Sequence, residues 1–160
     1  MISWKMEGQK KLVTEGWNFK MYMLDTNILI FCIRHPDSQC ARTLAEHVGK
    51  DVCISVVTYA ELEFGIHNSK YPDKNRIAIN SILAGILIED FDMKAATHFG
   101  QILAELKRNH KDKQNQDRDK MIAAHARSSG YILVTDNIKD FLDIDGIKIE
   151  NWREEGDLKS

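Results

Sequence analysis

Short apolar runs alternate with longer segments of helical periodicity along most of the chain. The runs, such as residues 52–57, are rich in β-branched side chains, and strands this short and apolar are typical of a parallel sheet covered on both faces. Most runs are followed by a segment with apolar residues three and four positions apart, which indicates a helix. The pattern predicts an α/β protein with three layers, α/β/α, around a short and mainly parallel central sheet.

The element boundaries follow from the same periodicity and from the turn residues between elements. Predicted strands cover residues 22–24, 52–57, 86–91, 131–134 and 147–150. Predicted helices cover residues 38–48, 58–67, 73–85, 93–108, 117–129 and 138–142, and an apolar segment at 28–33 ends before Pro36. Gly130 is expected to end the helix before it, because glycine readily adopts the left-handed conformation of a C-cap.

The chain of 160 residues is long enough for one domain with its own core. Residues 21–152 carry all the predicted elements and are expected to form that domain. Residues 1–20 are polar, lack a sustained period and precede a second methionine, so we expect a non-native or flexible N-terminal extension. A peripheral helix packed on the domain is the alternative. Residues 153–160 are expected to be a polar C-terminal tail.

The net charge of -2 limits how this chain could bind nucleic acid. A protein that holds a phosphate backbone by charge alone is usually basic, so binding would have to rest on a local basic patch or on a bound metal ion.

Three cysteines without a Cys-x-x-Cys pair exclude a zinc ribbon and indicate reduced thiols, with Cys53 in the core. With no apolar stretch of membrane-spanning length and no signal peptide, a cytoplasmic location is expected.

Acidic side chains fall where a parallel sheet would gather them. Asp25 closes the first predicted strand, and Asp136 follows the strand at 131–134. Glu61 lies early in the helix after the second strand, and Asp119 lies in the first turn of its helix. Because ligands of doubly wound α/β folds bind outside the carboxyl ends of the strands, we expect these four acids to face one crevice.

A cluster of carboxylates predicts a metal site. Carboxylates held close together repel one another, which raises their pKa unless a cation lies between them. Their hard oxygen atoms suit Mg²⁺ or Mn²⁺, and such a site can activate water for phosphodiester hydrolysis. Each acid also has a structural alternative: Asp25 as a helix N-cap, Asp119 as a partner of the helix dipole, Glu61 as a solvated side chain, and Asp136 and Asp140 as turn residues.

Four segments match a known family pattern in order along the chain. They are residues 23–27 (MLDTN), 54–65 (ISVVTYAELEFG), 119–128 (DKMIAAHARS) and 133–137 (LVTDN), followed by Asp140-Phe141 and residues 150–152. Over residues 21–152 the sequence resembles the PIN domain, and in particular the VapC toxins of bacterial type II toxin–antitoxin modules. The resemblance implies a PIN-like fold and an endoribonuclease that cleaves RNA with Mg²⁺, or with Mn²⁺ as a substitute.

The resemblance also implies roles for individual residues. The core metal-binding acids would be Asp25, Glu61 and Asp119. The residues around them would be Thr26, Asn27, Thr135 and Asn137, of which Thr135 would orient the ligands. The implied partners are an RNA substrate, a second copy of the chain in a homodimer, and a cognate VapB-type antitoxin that covers the active-site groove and joins a higher assembly.

Two departures from the family pattern leave details of the site open. The family often has an aspartate two residues after the threonine, or an asparagine in this branch. This chain has Asn137 there, so the fourth acid is either Asp136 or Asp140. The Gly-Pro pair that often precedes the third acid is missing, so Asp117 is a further candidate. The basic residues near Asp119 are either a solvated face or contacts to the RNA backbone, and the candidates for RNA contact are Lys113, Arg118 and Lys120.

Three alternatives compete with the metal-dependent ribonuclease. A receiver-type phosphoacceptor domain needs an adjacent acid pair after its first strand, where this chain has Asp25 alone. A catalytically weak PIN domain that acts as an RNA- or protein-binding module is disfavoured by the intact Asp25, Glu61 and Asp119. A DNA-directed nuclease stays open, because no residue visibly recognises the 2′-hydroxyl of RNA.

Overall fold

The computed structural model describes residues 19–112 and 117–158, and these residues form a five-stranded parallel sheet between two layers of helices. The strands are β1 (Tyr22–Leu24), β2 (Val52–Ser55), β3 (Leu87–Glu89), β4 (Ile132–Val134) and β5 (Lys148–Glu150). The α-helices are α1 (Thr26–Arg34), α2 (Gln39–His47), α3 (Val56–His67), α4 (Pro72–Leu83), α5 (Met93–Arg108) and α6 (Asp117–Ser129). Two 3-10 helices cover Ile138–Asp140 and Glu155–Leu158.

The strand order across the sheet is β3-β2-β1-β4-β5. β1 lies in the centre, where Tyr22 pairs with Val52 of β2 on one side and with Ile132 of β4 on the other. The predicted α/β class and parallel sheet are therefore confirmed. The prediction for the N-terminal extension falls mostly on residues 1–18, which lie outside the described residues.

The central strand supplies side chains to two separate cores. Tyr22 and Leu24 pack with apolar residues of α1 to α4 on one face of the sheet, and Met23 packs with α5 and α6 on the other. Successive residues of a strand point to opposite faces, so three residues are enough to serve both cores. The predicted three-layer arrangement is confirmed, and Cys53 lies in the second core as expected.

Two helices begin at polar residues that end the preceding strands. The side chain of Asp25 accepts a hydrogen bond from the backbone N–H of Thr26 at the start of α1, and Ser55 Oγ accepts one from the N–H of Val57 in α3. β2 therefore ends at Ser55, and the predicted strand at 52–57 was too long. Its last two residues are β-branched, but the serine cap places them in the first turn of the helix.

Other boundaries agree closely with the periodicity. α5 and α6 have the predicted bounds, and Gly130 follows α6 with a φ of +70°, as a C-cap requires. The helix predicted at 138–142 is instead the short 3-10 helix Ile138–Asp140. Among the helices of the described ranges, none is long and apolar enough to cross a membrane.

The segment after β5 packs against α1 and α2. The guanidinium carbon of Arg153 lies 4.0 Å from the ring centre of Phe31 in α1. Asp157 is 5% exposed, and its carboxylate accepts hydrogen bonds from the backbone N–H groups of Gln39 (2.7 Å) and Cys40 (3.4 Å) at the start of α2. Arg153 and Asp157 of the predicted polar tail thus contact the domain, and residues 159–160 lie outside the described residues.

Candidate active site

Asp25 is a buried carboxylate at the carboxyl end of β1, with 3% of its surface exposed. Its Oδ1 accepts a hydrogen bond from the N–H of Thr26 (2.8 Å), and its Oδ2 accepts one from the hydroxyl of Thr135 (2.9 Å). Burial raises the pKa of Asp25 to about 6; the bond from Thr135 opposes the rise, and the charges of Asp119 and Glu61 add to it.

Glu61 reaches the same region from α3. Its side chain is 17% exposed, and both carboxylate oxygens have partners. Oε2 accepts a short hydrogen bond from the hydroxyl of Thr26, and Oε1 lies 3.3 Å from Nε of Arg118 in α6. Thr26 therefore links the first two acids, because its backbone bonds Asp25 and its side chain bonds Glu61.

Asp119 lies in the first turn of α6 and is partly buried. Burial raises its pKa, and the negative charges of Glu61 and Asp140 raise it further, while Arg118 and Lys120 lower it. The charges of Asp119 and Glu61 thus act on Asp25, and those of Glu61 and Asp140 act on Asp119. The structure thus gathers three acids predicted for the metal site, from β1, α3 and α6, together with one of the two candidates for the fourth acid.

The two candidates for the fourth acid lie in different surroundings. Asp140 accepts a short hydrogen bond from the side-chain amide of Asn137, and its charge acts on Asp119. Asp136 instead forms a close ion pair with Arg153, and the two side chains are 19% and 21% exposed. The geometry therefore favours Asp140 as the fourth acid. Asp117 has a 72% exposed side chain, and its Oδ1 lies 3.6 Å from Nζ of Lys120.

Thr135 stabilises the turn between β4 and the first 3-10 helix, and it also contacts Asp25. It is fully buried; its hydroxyl donates to Asp25 and accepts from the backbone N–H of Asn137 (3.1 Å). One side chain thus fixes both a carboxylate and the turn that carries Asn137 and Asp140. Asn27, which was predicted beside the site, lies exposed on α1.

The basic residues predicted for RNA contact differ in their exposure. Arg118 is 63% exposed beside Glu61. Lys120 is 5% exposed, and its ammonium lies 2.6 Å from Asp112, so its position does not suit contact with RNA. Lys113 lies outside the described residues.

The donor set fits Mg²⁺ or Mn²⁺ in its chemistry. It consists of carboxylates, the hard oxygen ligands that these ions prefer. Asp25 and Asp119 have pKa values raised by burial and by mutual repulsion, and a cation between them would relieve the repulsion. Among the described residues, no three acidic, histidine or cysteine side chains already have their donor atoms placed around one point. Each oxygen of Glu61 already has one partner, and the positive charge of Arg118 would compete there with a metal ion.

Sequence reasoning missed a buried pair that joins α3 to α6. Nδ1 of His125 lies 2.9 Å from the hydroxyl of Ser55, and both residues are buried. Burial lowers the pKa of His125 despite nearby acids on and after β3. Because Ser55 caps α3, which carries Glu61, and α6 carries Asp119, this contact helps fix the two helices relative to each other. A serine and a histidine 70 positions apart leave no joint signal in one sequence.

An apolar groove lies beside the acids, between α1, α3 and α4. Its volume is about 260 Å³, and Glu61 contributes to its wall. The apolar side chains of the wall are Ile30, Ile33, Leu62, Ala78 and Ile79. The groove is therefore continuous with the acidic site at Glu61.

Comparison with known proteins identifies the family of the chain. The family model described as "PIN domain" matches residues 22–147. The chain is 40% identical over 131 residues to "Ribonuclease VapC2" of Haemophilus influenzae, covering 82% of this chain and 97% of the relative. It is 41% identical to "tRNA(fMet)-specific endonuclease VapC" of Shigella flexneri, with the same coverage.

A solved structure gives the same assignment. "VapBC2 from Rickettsia felis bound to a DNA fragment from their promoter" contains a chain with a TM-score of 0.76 and 34% identity, covering 82% of this chain and 98% of that one. The matches extend over nearly the whole length of each relative. The chain therefore belongs to the PIN domain family, in the group of VapC-type toxin ribonucleases.

Proposed function

We propose that this chain is a metal-dependent endoribonuclease and the toxin of a toxin–antitoxin pair that acts in the cytoplasm. The observation that carries the proposal is the convergence of Asp25, Glu61 and Asp119 from three separate elements, with two of their pKa values raised. Perturbed carboxylates that repel one another are costly for a fold, and they are typical of sites that bind a cation and carry out chemistry.

Four carboxylates would hold the ion: Asp25, Glu61, Asp119 and Asp140. When bound, Mg²⁺ or Mn²⁺ supplies an activated water and neutralises the charge that builds on the phosphate. Thr135 orients Asp25, Thr26 orients Glu61, and Asn137 orients Asp140. Arg118, which is 63% exposed and lies 3.3 Å from Glu61, would contact a phosphate of the substrate.

The substrate we propose is a structured RNA, with initiator transfer RNA as the first to test. Support comes from two relatives, of Shigella flexneri at 41% identity and of Salmonella typhimurium at 37%, each named a tRNA(fMet)-specific endonuclease. The choice of RNA depends on groove shape and loops, and the sequence before Asp119 lacks the Gly-Pro pair of the family pattern, so total bacterial RNA is tested as well.

The partners we propose are a VapB-type antitoxin and a second copy of the chain. Support comes from similar solved structures of VapBC2 from Rickettsia felis and VapBC from Salmonella typhimurium, each bound to DNA. The apolar groove that includes Glu61 in its wall would suit an apolar segment of the antitoxin, which would then lie across the acids. Size-exclusion chromatography with light scattering tests the homodimer.

The test of the activity uses the full chain, freed of antitoxin, with total bacterial RNA and with initiator transfer RNA. Reactions contain Mg²⁺, Mn²⁺ or EDTA, and compare wild type with Asp25→Asn and with Asp73→Asn, an exposed acid of α4 that serves as the control. Discrete cleavage that needs metal and Asp25, but not Asp73, is expected. Absence of cleavage by the folded protein would favour a binding module. Cleavage that persists in Asp25→Asn would point to a contaminant or to a different site.

A further inference from the structure

The positively charged side chain of Arg118 contacts one of the acids of the proposed metal site. It lies in the first turn of α6, directly before Asp119, and its Nε is 3.3 Å from Oε1 of Glu61. The other oxygen of Glu61 accepts the hydroxyl of Thr26. Both carboxylate oxygens are therefore engaged, and the positive charge of Arg118 at Oε1 opposes the approach of a metal ion to Glu61.

Of the two partners, Arg118 is the easier to displace. Thr26 is buried in the first turn of α1, and its backbone N–H is also bound to Asp25. Arg118 is 63% exposed, and exposed ion pairs contribute little because water readily replaces them. The next cation along α6, Lys120, faces Asp112 and Asp117. Arg118 is thus the cation of this turn that contacts Glu61.

We propose that Arg118 is an intramolecular counter-ion that occupies the place of the metal on Glu61, and that metal binding displaces it into solvent. The inference rests on the proposed metal site. Released from Glu61, the guanidinium lies beside Asp119 at the surface, where it can meet a phosphate of the substrate. Arg118 would therefore weaken metal binding to the free protein.

The test measures Mn²⁺ binding by isothermal titration calorimetry, in the absence of RNA and at about 0.15 M salt. The full chain is compared with Arg118→Gln and with Lys139→Gln, which removes an exposed charge from the 3-10 helix that carries Asp140. The salt largely screens charges more than about 8 Å apart, and the Lys139→Gln control distinguishes the loss of a contact with Glu61 from a general change in net charge. Circular dichroism melts check that each variant is folded.

Arg118→Gln is expected to bind Mn²⁺ about two- to fivefold more tightly than wild type, a change in affinity that matches the free energy of an exposed ion pair. Lys139→Gln is expected to differ from wild type by less than about twofold. Unchanged or weaker binding by Arg118→Gln, or equal tightening in both variants, overturns the role of Arg118 while leaving the metal site intact. No binding by either wild type or Arg118→Gln overturns the metal site, and the inference with it.

Discussion

The hydroxyl of Thr135 donates a 2.9 Å hydrogen bond to Oδ2 of Asp25, and this bond joins the ends of the neighbouring strands β4 and β1. It stabilises the charged form of a carboxylate whose pKa burial has raised to about 6. The ionised Asp25 that a metal ion requires therefore depends in part on Thr135.

Thr135→Val is expected to lower RNA cleavage at pH 7 about tenfold, because a hydrogen bond to a charged group contributes roughly 1.5–3 kcal/mol. The variant keeps the shape of the side chain but lets the pKa of Asp25 rise, so the acid limb of the pH–rate profile should move to higher pH. Thr135→Ser keeps the hydroxyl and should retain both the activity and the profile. A profile for Thr135→Val that matches wild type would exclude this role.

Asp25→Asn is expected to stabilise the metal-free protein at pH 7.5 by about 1–3 kcal/mol while abolishing cleavage. The folded pKa of about 6 lies above the ordinary value of 3.8, so ionised Asp25 destabilises the fold above pH 6. This penalty disappears as the pH falls through that range, and the gain of the variant should vanish near pH 3.5. Asparagine can also replace aspartate as the cap of α1.

Urea denaturation in EDTA at the two pH values measures this difference. The control Asp73→Asn removes a charge from the first turn of α4 and is expected to lower the free energy of unfolding by no more than about 1 kcal/mol at pH 7.5. Equal stability of Asp25→Asn and wild type at both pH values would show that Asp25 is not under electrostatic strain in the folded protein.

Asp140→Asn and Asp136→Asn should separate the two candidates for the fourth acid. Asp140 acts on Asp119, so its replacement is expected to reduce cleavage about ten- to a hundredfold with little effect on stability. Asp136 pairs with Arg153, so its replacement should lower the free energy of unfolding by about 1 kcal/mol and leave cleavage within about threefold of wild type. Cleavage assays and urea denaturation on both variants check this, and the reverse pattern would assign the role to Asp136.

Asp157→Ala is expected to destabilise the protein by about 1–2 kcal/mol at pH 7, because it removes the carboxylate that bonds the first N–H groups of α2. Although burial opposes the effect, backbone hydrogen bonds from Glu154, Gln39 and Cys40 lower the pKa of Asp157 below its ordinary value of 3.8. Its contribution is therefore present above pH 3.8 and is lost as the pH falls through the lowered pKa.

Urea denaturation of Asp157→Ala and wild type at pH 7 and at pH 2.5 should show a difference that shrinks in acid. Glu155→Ala alters an exposed neighbour in the same 3-10 helix and serves as the control. A difference independent of pH would mean that packing, and not the charge, accounts for the effect.

Periodicity and strand ends were sufficient to predict the layers of the fold and to expect Asp25, Glu61, Asp119 and Asp136 at one crevice. The choice of Asp25, Glu61 and Asp119 as the metal-binding acids came from the family resemblance, and Asp136 instead pairs with Arg153. Each signal is local: an apolar run marks a strand, and the parallel sheet that follows places the acids at the ends of its strands at one edge. The end of β2 was misjudged because Val56 and Val57 favour a strand by themselves, whereas the cap at Ser55 starts a helix.

The surroundings of individual side chains could not be predicted in the same way. Whether Asp136 or Asp140 faces Asp119 depends on how the turn after β4 rotates, which Thr135 and Arg153 determine from other parts of the chain. Lys120 looked like a surface cation, but its helical position turns it inward to Asp112. Such contacts join residues from different parts of the chain or depend on burial in the folded protein. A single sequence therefore does not predict them.

The central position of β1 has a consequence for the order in which the protein is made. Asp25 is among the first residues of the domain to be synthesised, but its partner Thr135 follows 110 positions later, and β4 must pair with β1 before the two meet. Contacts so distant along the chain form late and slowly in folding. A nascent chain in which Thr135 has not yet been synthesised lacks both that bond and Asp140. We therefore expect little cleavage activity until nearly all of the domain has been translated.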